Sequence, residues 1–346
     1  MNTVILGLES SCDETAASIV VDGVTVRSSI IATQHDLHAV FRGVVPEVAS
    51  RAHLERLWPV ISQALSDASC TLKELDAIAV STAPGLIGSL LVTVSAAKAL
   101  SWSLDRPLIA VNHVLAHLYA PTLATGPITY PALGVVVSGG HTQLMHVTSP
   151  TSAVVIGATI DDAIGEAFDK VATILDLGYP GGPAIDRLAQ HGDPHAYDLP
   201  IARLSPESLD FSFSGLKTAV KYAACGVPAK GESVPQTATD LSDQTRADLA
   251  ASFQRAAIDA IMLKMTRAIQ KNTVGSLVVG GGVCANSLLR TRLGEFAGAN
   301  GLELHIPPID LCLDNAAMIA GLAWHHLQRG EIAPLDVSPM TRAEYA

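Results

Sequence analysis

Leu133-Gly134-Val135-Val136-Val137-Ser138-Gly139-Gly140-His141-Thr142-Gln143-Leu144-Met145-His146-Val147 reads as a strand, a tight turn and a returning strand. The same order opens the chain. Thr3–Glu9 (TVILGLE) is a short apolar strand, Ser10–Thr15 (SSCDET) a polar turn, and Ala17–Val21 the return. Each hairpin is followed by a strand that ends in a Gly-rich loop and opens a helix. In the first half this is Asp76–Ser81 running into Thr82–Ser89 (TAPGLIGS), with a helix from about Ser89 to Ser103. In the second it is Gly275–Asn286 (GSLVVGGGVCAN), with a helix from about Asn286 to Ala299. Two copies of one topology predict two α/β lobes of related build around a cleft.

This is how a duplicated actin-like ATPase core looks from sequence, and composition agrees with it. The chain has 346 residues, enough for two lobes of about 100–200 residues each. Hydrophobic residues make up 49% and aromatics only 4%, so the core is expected to be aliphatic, as in sheets covered by helices. No apolar run of about 18 residues goes uninterrupted, which predicts no membrane span. The start of the chain lacks a basic region ahead of its first strand, which predicts no signal peptide. Five cysteines without close pairing fit a reducing compartment, so the expected location is cytoplasmic. The net charge of −11 leans against nucleic acid unless a local basic patch or a partner supplies the positive surface.

Chemistry concentrates at a few places. His113 and His117 stand four apart on an expected helix, on one face. Arg106–Val111 before them reads as a buried strand, so the pair falls at a strand's carboxyl end, where ligands gather in α/β sheets. Such a pair offers two imidazoles to zinc, iron or nickel; the alternative is one histidine packing the helix and one facing water. Asp314 heads a small-residue helix running to about Leu327, either as its N-cap or as a third ligand. The Ser10–Thr15 turn, with its hydroxyls and carboxylates, suits a phosphate or a cation-bound anion, or is simply a polar turn. The Thr82–Ser89 loop lacks the P-loop lysine and the full dinucleotide fingerprint. Asp161 and Asp162 are expected in the first turn of a helix that continues through Asp169. Leu54, Leu57, Ile61 and Leu65 mark the packed face of a helix reaching about Ala68. The stretch from about Cys225 to Ser242 reads as a mobile surface insertion.

Ten motifs then run in order over nearly the whole chain: Glu9–Thr15 (ESSCDET), Gly43–Arg51 (GVVPEVASR), Pro84–Gly88 (PGLIG), His113-x3-His117, Val137–Gln143 (VSGGHTQ), Asp161-Asp162 with Gly165–Lys170 (GEAFDK), Tyr179–Pro183 (YPGGP), Asp210–Thr218 (DFSFSGLKT), Gly281–Asn286 (GGVCAN) and Asp314–Met318 (DNAAM). Together they resemble the TsaD family (older names Gcp and YgjD), the tRNA N6-adenosine threonylcarbamoyltransferases. The resemblance implies a two-lobed ASKHA fold, that of actin-like ATPases, sugar kinases and Hsp70, with duplicated RNase H-like lobes. The expected division is residues 1–112 and 113–324, with the C-terminal helix and tail, 325–346, packing back on the first lobe. The implied reaction moves a threonylcarbamoyl group from threonylcarbamoyl-AMP to N6 of adenosine 37, in tRNAs reading codons that begin with A, and releases AMP. By this likeness His113, His117 and Asp314 would hold one divalent metal ion: Fe2+, alternatively Zn2+, with Mg2+ accompanying nucleotide. Val136, Val137, Ser138, Gly139, Gly140, Asp169, Gly182, Asp186 and Asn286 would hold the donor, and Asp13 or Glu14 would handle the proton. Implied partners are a TsaB-like paralogue and a TsaE-like ATPase, with tRNA as substrate and no membrane. Lys217, Lys221, Arg246 and Arg255 are too few for an unaided tRNA footprint.

Two positions depart from the pattern. Val136 stands where archaeal and eukaryotic relatives carry a tyrosine, which places the chain with bacterial members, and Cys284 replaces a more usual serine. Among rival readings, a metallopeptidase needs Glu beside the first histidine, where this chain has Val114. An actin-like ATPase would hold Mg2+ through carboxylates and water rather than two imidazoles. A non-catalytic scaffold should have lost the His-His-Asp set.

Overall fold

The structure, a computed structural model, describes residues 2–202, 204–227, 235 and 237–343. In the first half, strands β1 (Val4–Glu9), β2 (Glu14–Val21) and β3 (Thr25–Thr33) form a meander. Helices α1 (His35–Ala39) and α2 (Pro46–Asp67) follow, then β4 (Ala77–Ala83), α3 (Ile87–Leu104) and β5 (Leu108–Asn112). Two short helices, α4 (His113–Tyr119) and α5 (Thr122–Thr125), lead to the second meander: β6 (Ala132–Val137), β7 (Thr142–Ser149) and β8 (Ser152–Ala158). Helices α6 (Ile164–Ile174), α7 (Gly181–Ala189), α8 (Ser214–Cys225) and α9 (Asp243–Lys271) come next. The chain then runs through β9 (Ser276–Gly280), α10 (Ser287–Asn300), β10 (Glu303–His305) and α11 (Ala316–Gln328).

The two sheets have the same order, β3-β2-β1-β4-β5 and β8-β7-β6-β9-β10. In both, the three meander strands pair antiparallel and the last two strands join in parallel. The expected duplicated ASKHA fold is therefore present. Central strands β1, β2, β4, β6 and β9 are buried along their whole lengths, which is why they read as largely apolar runs rather than alternating ones. The outer meander strands β3 and β8 are half exposed and went unpredicted for that reason.

Three cores hold these layers. Helices α2 and α3 cover one face of the first sheet through Leu57, Ile61 and Val94. On the far face of the second sheet, α6 to α10 pack through Phe168, Phe253 and Leu289. Between the sheets lie α4 and α11, whose Val114, Leu118, Met318 and Leu322 join Ile109 and Val111 of one sheet to Val136 and Val278 of the other. Helix α11 runs along the first sheet from its first residue: a Cβ at Gly7 of β1 would collide with the Ala316 carbonyl. Glycine lets that helix sit against the strand.

Several local expectations are corrected. Helix α6 starts at Ile164, so Asp161 and Asp162 precede it rather than serving its first turn. Asp161 instead accepts from Ser212 Oγ (2.5 Å), Ser214 Oγ (2.7 Å) and the Phe213 N–H (2.8 Å), pinning the start of α8. Asp162 binds Lys170 at 2.6 Å and Lys217 at 2.8 Å, which also removes Lys217 from any free basic surface. Leu54 is 67% exposed and does not share the packed face of α2. Among the described residues α3 is the one helix long and apolar enough to cross a membrane; it packs on β4 and α2. Of the expected insertion, residues 228–234 and 236 lie outside the described residues. Its far end is docked, since the Ala238 N–H donates to the Ile174 carbonyl at 2.8 Å.

Candidate metal centre and substrate cleft

Two helix caps build the centre. The Asn112 side chain, at the end of β5, accepts from the Val114 and Leu115 N–H groups at 2.9 and 3.1 Å. It thereby starts α4 at the sheet's carboxyl edge, with His113 in the first turn and His117 one turn on. Asn315 caps α11 by accepting from the Met318 N–H at 3.0 Å. The N-cap is thus Asn315, and Asp314 just before it is left to meet the histidines.

His113, His117 and Asp314 bring one ligand atom each within 4.8 Å of one another. His117 Nε2 is 3.0 Å and His113 Nε2 3.6 Å from Asp314 Oδ1. The His113 Nδ1–H donates to Glu9 Oε2 at 3.0 Å, fixing the ring and leaving Nε2 toward Asp314. Glu9 Oε1 in turn accepts from the Ser11 N–H, and Ser11 Oγ donates to Asp314 Oδ2 at 3.3 Å. Burial by itself lowers the His113 pKa, but the Glu9 and Asp314 charges outweigh it and raise it to about 9. Burial by itself would raise Asp314; the His113 charge and His117 hold it well below the usual carboxylate range. The pocket therefore calls for positive charge. His117 is fully buried; its Nε2 faces Asp314 and its Nδ1 has no hydrogen-bond partner. Two imidazoles and a carboxylate converging on one point, with a buried ring nitrogen of His117 left unpartnered, fit a divalent metal ion.

A cleft of about 1000 Å³ opens beside this group. Of the residues expected in the site, Asp13, Glu14, His113, Ser138, Gly139, Gly140, Asp169, Gly182, Asp186, Asn286 and Asp314 line it. His117, fully buried, does not, and neither do Val136 and Val137. Both are fully buried, their backbones pair within β6, and their side chains fill the central and second-lobe cores. Asn286 reaches the cleft wall with its side chain already committed: Oδ1 accepts from the Leu289 N–H at 3.0 Å and Nδ2 donates to Gln254 at 2.8 Å. Asp186 accepts from Ser287 Oγ at 2.7 Å and its N–H at 3.2 Å, and is held across the mouth of α10. Asp169 Oδ1 accepts from the Gly181 N–H at 2.7 Å; burial outweighs this bond and raises its pKa to about 6. Burial likewise raises Glu14 to about 8, against the opposing pull of His35.

Three residues in or behind the cleft gave no functional signal in the sequence. Glu9 was legible as a lone carboxylate ending an apolar strand, and it proves fully buried behind His113. His35 gave no periodic signal and reaches Glu14 only through the fold. His141 lines the cleft with its ring centroid 6.4 Å from that of His113. Burial, then the charges of His113 and His117, lower its pKa to about 4.

Comparison with known proteins agrees with this picture. The sequence profile of TsaD, described as tRNA N6-adenosine threonylcarbamoyltransferase, matches residues 25–321. The protein of that name from Moorella thermoacetica is 47% identical over 336 residues, covering 97% of this chain and 95% of the relative. That from Syntrophobacter fumaroxidans is 47% identical over 341 residues, covering 98% and 99%. Among solved structures, T. kodakarensis HypF superposes with a TM-score of 0.60 at 15% identity, over 95% of this chain and 48% of HypF, a likeness of fold alone. With a profile match over most of its length and near-full-length relatives at this identity, the chain belongs to the TsaD family of tRNA N6-adenosine threonylcarbamoyltransferases.

Proposed function

We propose that the chain transfers a threonylcarbamoyl group from threonylcarbamoyl-AMP to N6 of adenosine 37 in tRNAs reading codons that begin with A. The observation that carries this reading is a convergence in one member of the family. Two imidazoles and a carboxylate, a glycine turn and further carboxylates surround a single cleft of about 1000 Å³. In the transfer, the N6–C bond forms, the bond from the acyl carbon to the phosphate oxygen breaks, and AMP leaves with the electron pair.

Within the cleft, Gly139 and Gly140 are exposed and lack side chains, so their N–H groups can approach an anionic oxygen. Asp186, already oriented by Ser287, accepts from ribose hydroxyls through its remaining lone pairs. A Cβ at Gly182 would meet only open space, which leaves room for the donor beside Asp169. Asn286 acts as wall and helix cap rather than as a base contact. Asp13 or Glu14 receives the proton lost by the amine; Asp13 Oδ2 is buried with no hydrogen-bond partner to compete for it. His113, His117 and Asp314 would hold one divalent ion, Fe2+ or Zn2+ by their nitrogen-rich donor set, with Mg2+ accompanying nucleotide. Such an ion supplies Lewis acidity toward acyl and phosphate oxygens. Because the amine of adenine is a weak nucleophile, positioning by these groups carries much of the acceleration.

We place the protein in the cytoplasm, with a TsaB-like paralogue and a TsaE-like ATPase as partners. A net charge of −11 supports a need for partners in binding tRNA. The outer stripe of α2 and α3, with Leu54 67%, Trp58 57%, Leu91 48% and Trp102 77% exposed, is apolar enough for a docking face. The division into residues 1–112 and 113–324 is kept for the sheets, with α4 and α11 shared between them.

The test is transfer of labelled threonine to unmodified tRNA, with bicarbonate, ATP, an adenylate-forming enzyme and both partners present. Label should appear with the native chain and fall at least about 100-fold with His113→Ala or Asp314→Ala. Full activity in either variant would remove the centre from the reaction. No label, with ATP hydrolysed, would favour an actin-like ATPase.

A further inference from the structure

The cleft holds a second convergence of cation-binding groups. Asp13 and Glu14, at the β1–β2 turn, and His35, opening α1, bring one ligand atom each within 4.8 Å of one another. All three line the cleft, and none belongs to the group formed by His113, His117 and Asp314. Asp13 and Glu14 are each only 6% exposed. Asp13 Oδ2 is buried without a hydrogen-bond partner, a costly state for a carboxylate oxygen. The ion pair that Glu14 makes is with His35, whose Nε2 stands 3.5 Å from Oε1. That is longer than a charge-assisted hydrogen bond, and wide enough for both atoms to face a common ion.

We propose that Asp13, Glu14 and His35 form a second divalent-cation site, separate from the imidazole pair. Two hard oxygens and one imidazole suit Mn2+ or Mg2+, whereas Ca2+ would want 6–8 oxygens. Three protein ligands leave positions for water and for an oxygen of an anionic ligand. The cleft gives such an ion a reason to be there. Asp13, Glu14, Asp169, Asp186 and Asp314 line it beside one guanidinium, that of Arg187, so an anionic molecule entering meets repulsion that Arg187 and one cation at the histidines offset only in part. Each residue spends one ligand atom, so an oxygen of each carboxylate remains for a proton. The site rests on this geometry and not on the transfer reaction.

Metal-free full-length chain carrying His117→Ala, which disables the imidazole pair, is titrated with Mn2+ while free Mn2+ is followed by electron paramagnetic resonance. One equivalent should bind, and spin-echo modulation should show a single imidazole nitrogen. Adding Asp13→Asn or His35→Ala should weaken that equivalent by about tenfold or more. Asp314→Asn serves as the second background if His117→Ala fails to fold, with circular dichroism as the check. Absence of a saturable equivalent, or one that neither added substitution weakens, overturns the site. Transfer activity is not the readout, so failure here leaves the threonylcarbamoyl assignment standing.

Discussion

Glu9 shows how one side chain outside a ligand set governs it. It takes the Nδ1–H of His113 at 3.0 Å and so fixes which ring nitrogen faces Asp314. Glu9→Gln keeps the size and an acceptor but removes the charge. Metal affinity should drop about 10–100-fold with the fold intact, as isothermal titration would show. Asp169 makes a different prediction, about pH. Its carboxyl is raised from 3.8 to about 6 by burial, against the Gly181 N–H. A raised acid holds its proton more tightly folded than unfolded. Its contribution is therefore full below about pH 4 and lost as pH climbs through about 6. Asp169→Asn has no charge to bury and keeps an oxygen for Gly181. It should gain about 1–3 kcal/mol at pH 7.5 and nothing near pH 3.5, in urea melts at the two values.

At the scale of elements, close approach matters more than propensity. Helix α4 carries both histidines and lies directly on β9, where a Cβ at Gly280 would overlap the His117 carbonyl. Backbone atoms at that distance cannot rotate away, so Gly280→Ala must shift the helix or the strand. It should cost about 1–3 kcal/mol of stability and weaken metal binding together, unlike Glu9→Gln, which touches binding alone. Thermal melts paired with metal titration separate the two. Caps act at the same scale: Asn112 and Asn315 decide where α4 and α11 start, and hence that His113 and Asp314 meet.

For the whole molecule, the shared layer of α4 and α11 is the decisive feature. Met318 is fully buried in a core that includes residues of both sheets. Met318→Ala should cost about 2–5 kcal/mol. Because the layer joins the lobes, the loss should move one transition rather than split it. Trp58, Trp102 and Trp324 report on the first sheet's surroundings, while helix content reports on both lobes, with α6 to α10 supplying about half of it. Fluorescence and circular dichroism should therefore shift in step; separated transitions would mean that the lobes unfold independently. The sequence by itself determined the two-lobed plan, since strands buried on both faces are mostly apolar and one strand in each half leads into a Gly-rich loop and a helix. It also determined the histidine pair, because a spacing of four is a local property of a helix. The outer strands β3 and β8 were not legible, being half exposed and carrying only short apolar stretches such as Ala153–Ile156. Nor could sequence show that Val136 and Val137 are spent in the cores, that Asp161 serves the start of α8, that Glu9 backs His113, or that His35 and His141 line the cleft. Those facts depend on contacts between residues up to hundreds of positions apart, as Ser11 and Asp314 are, and only the packed layers bring such residues together.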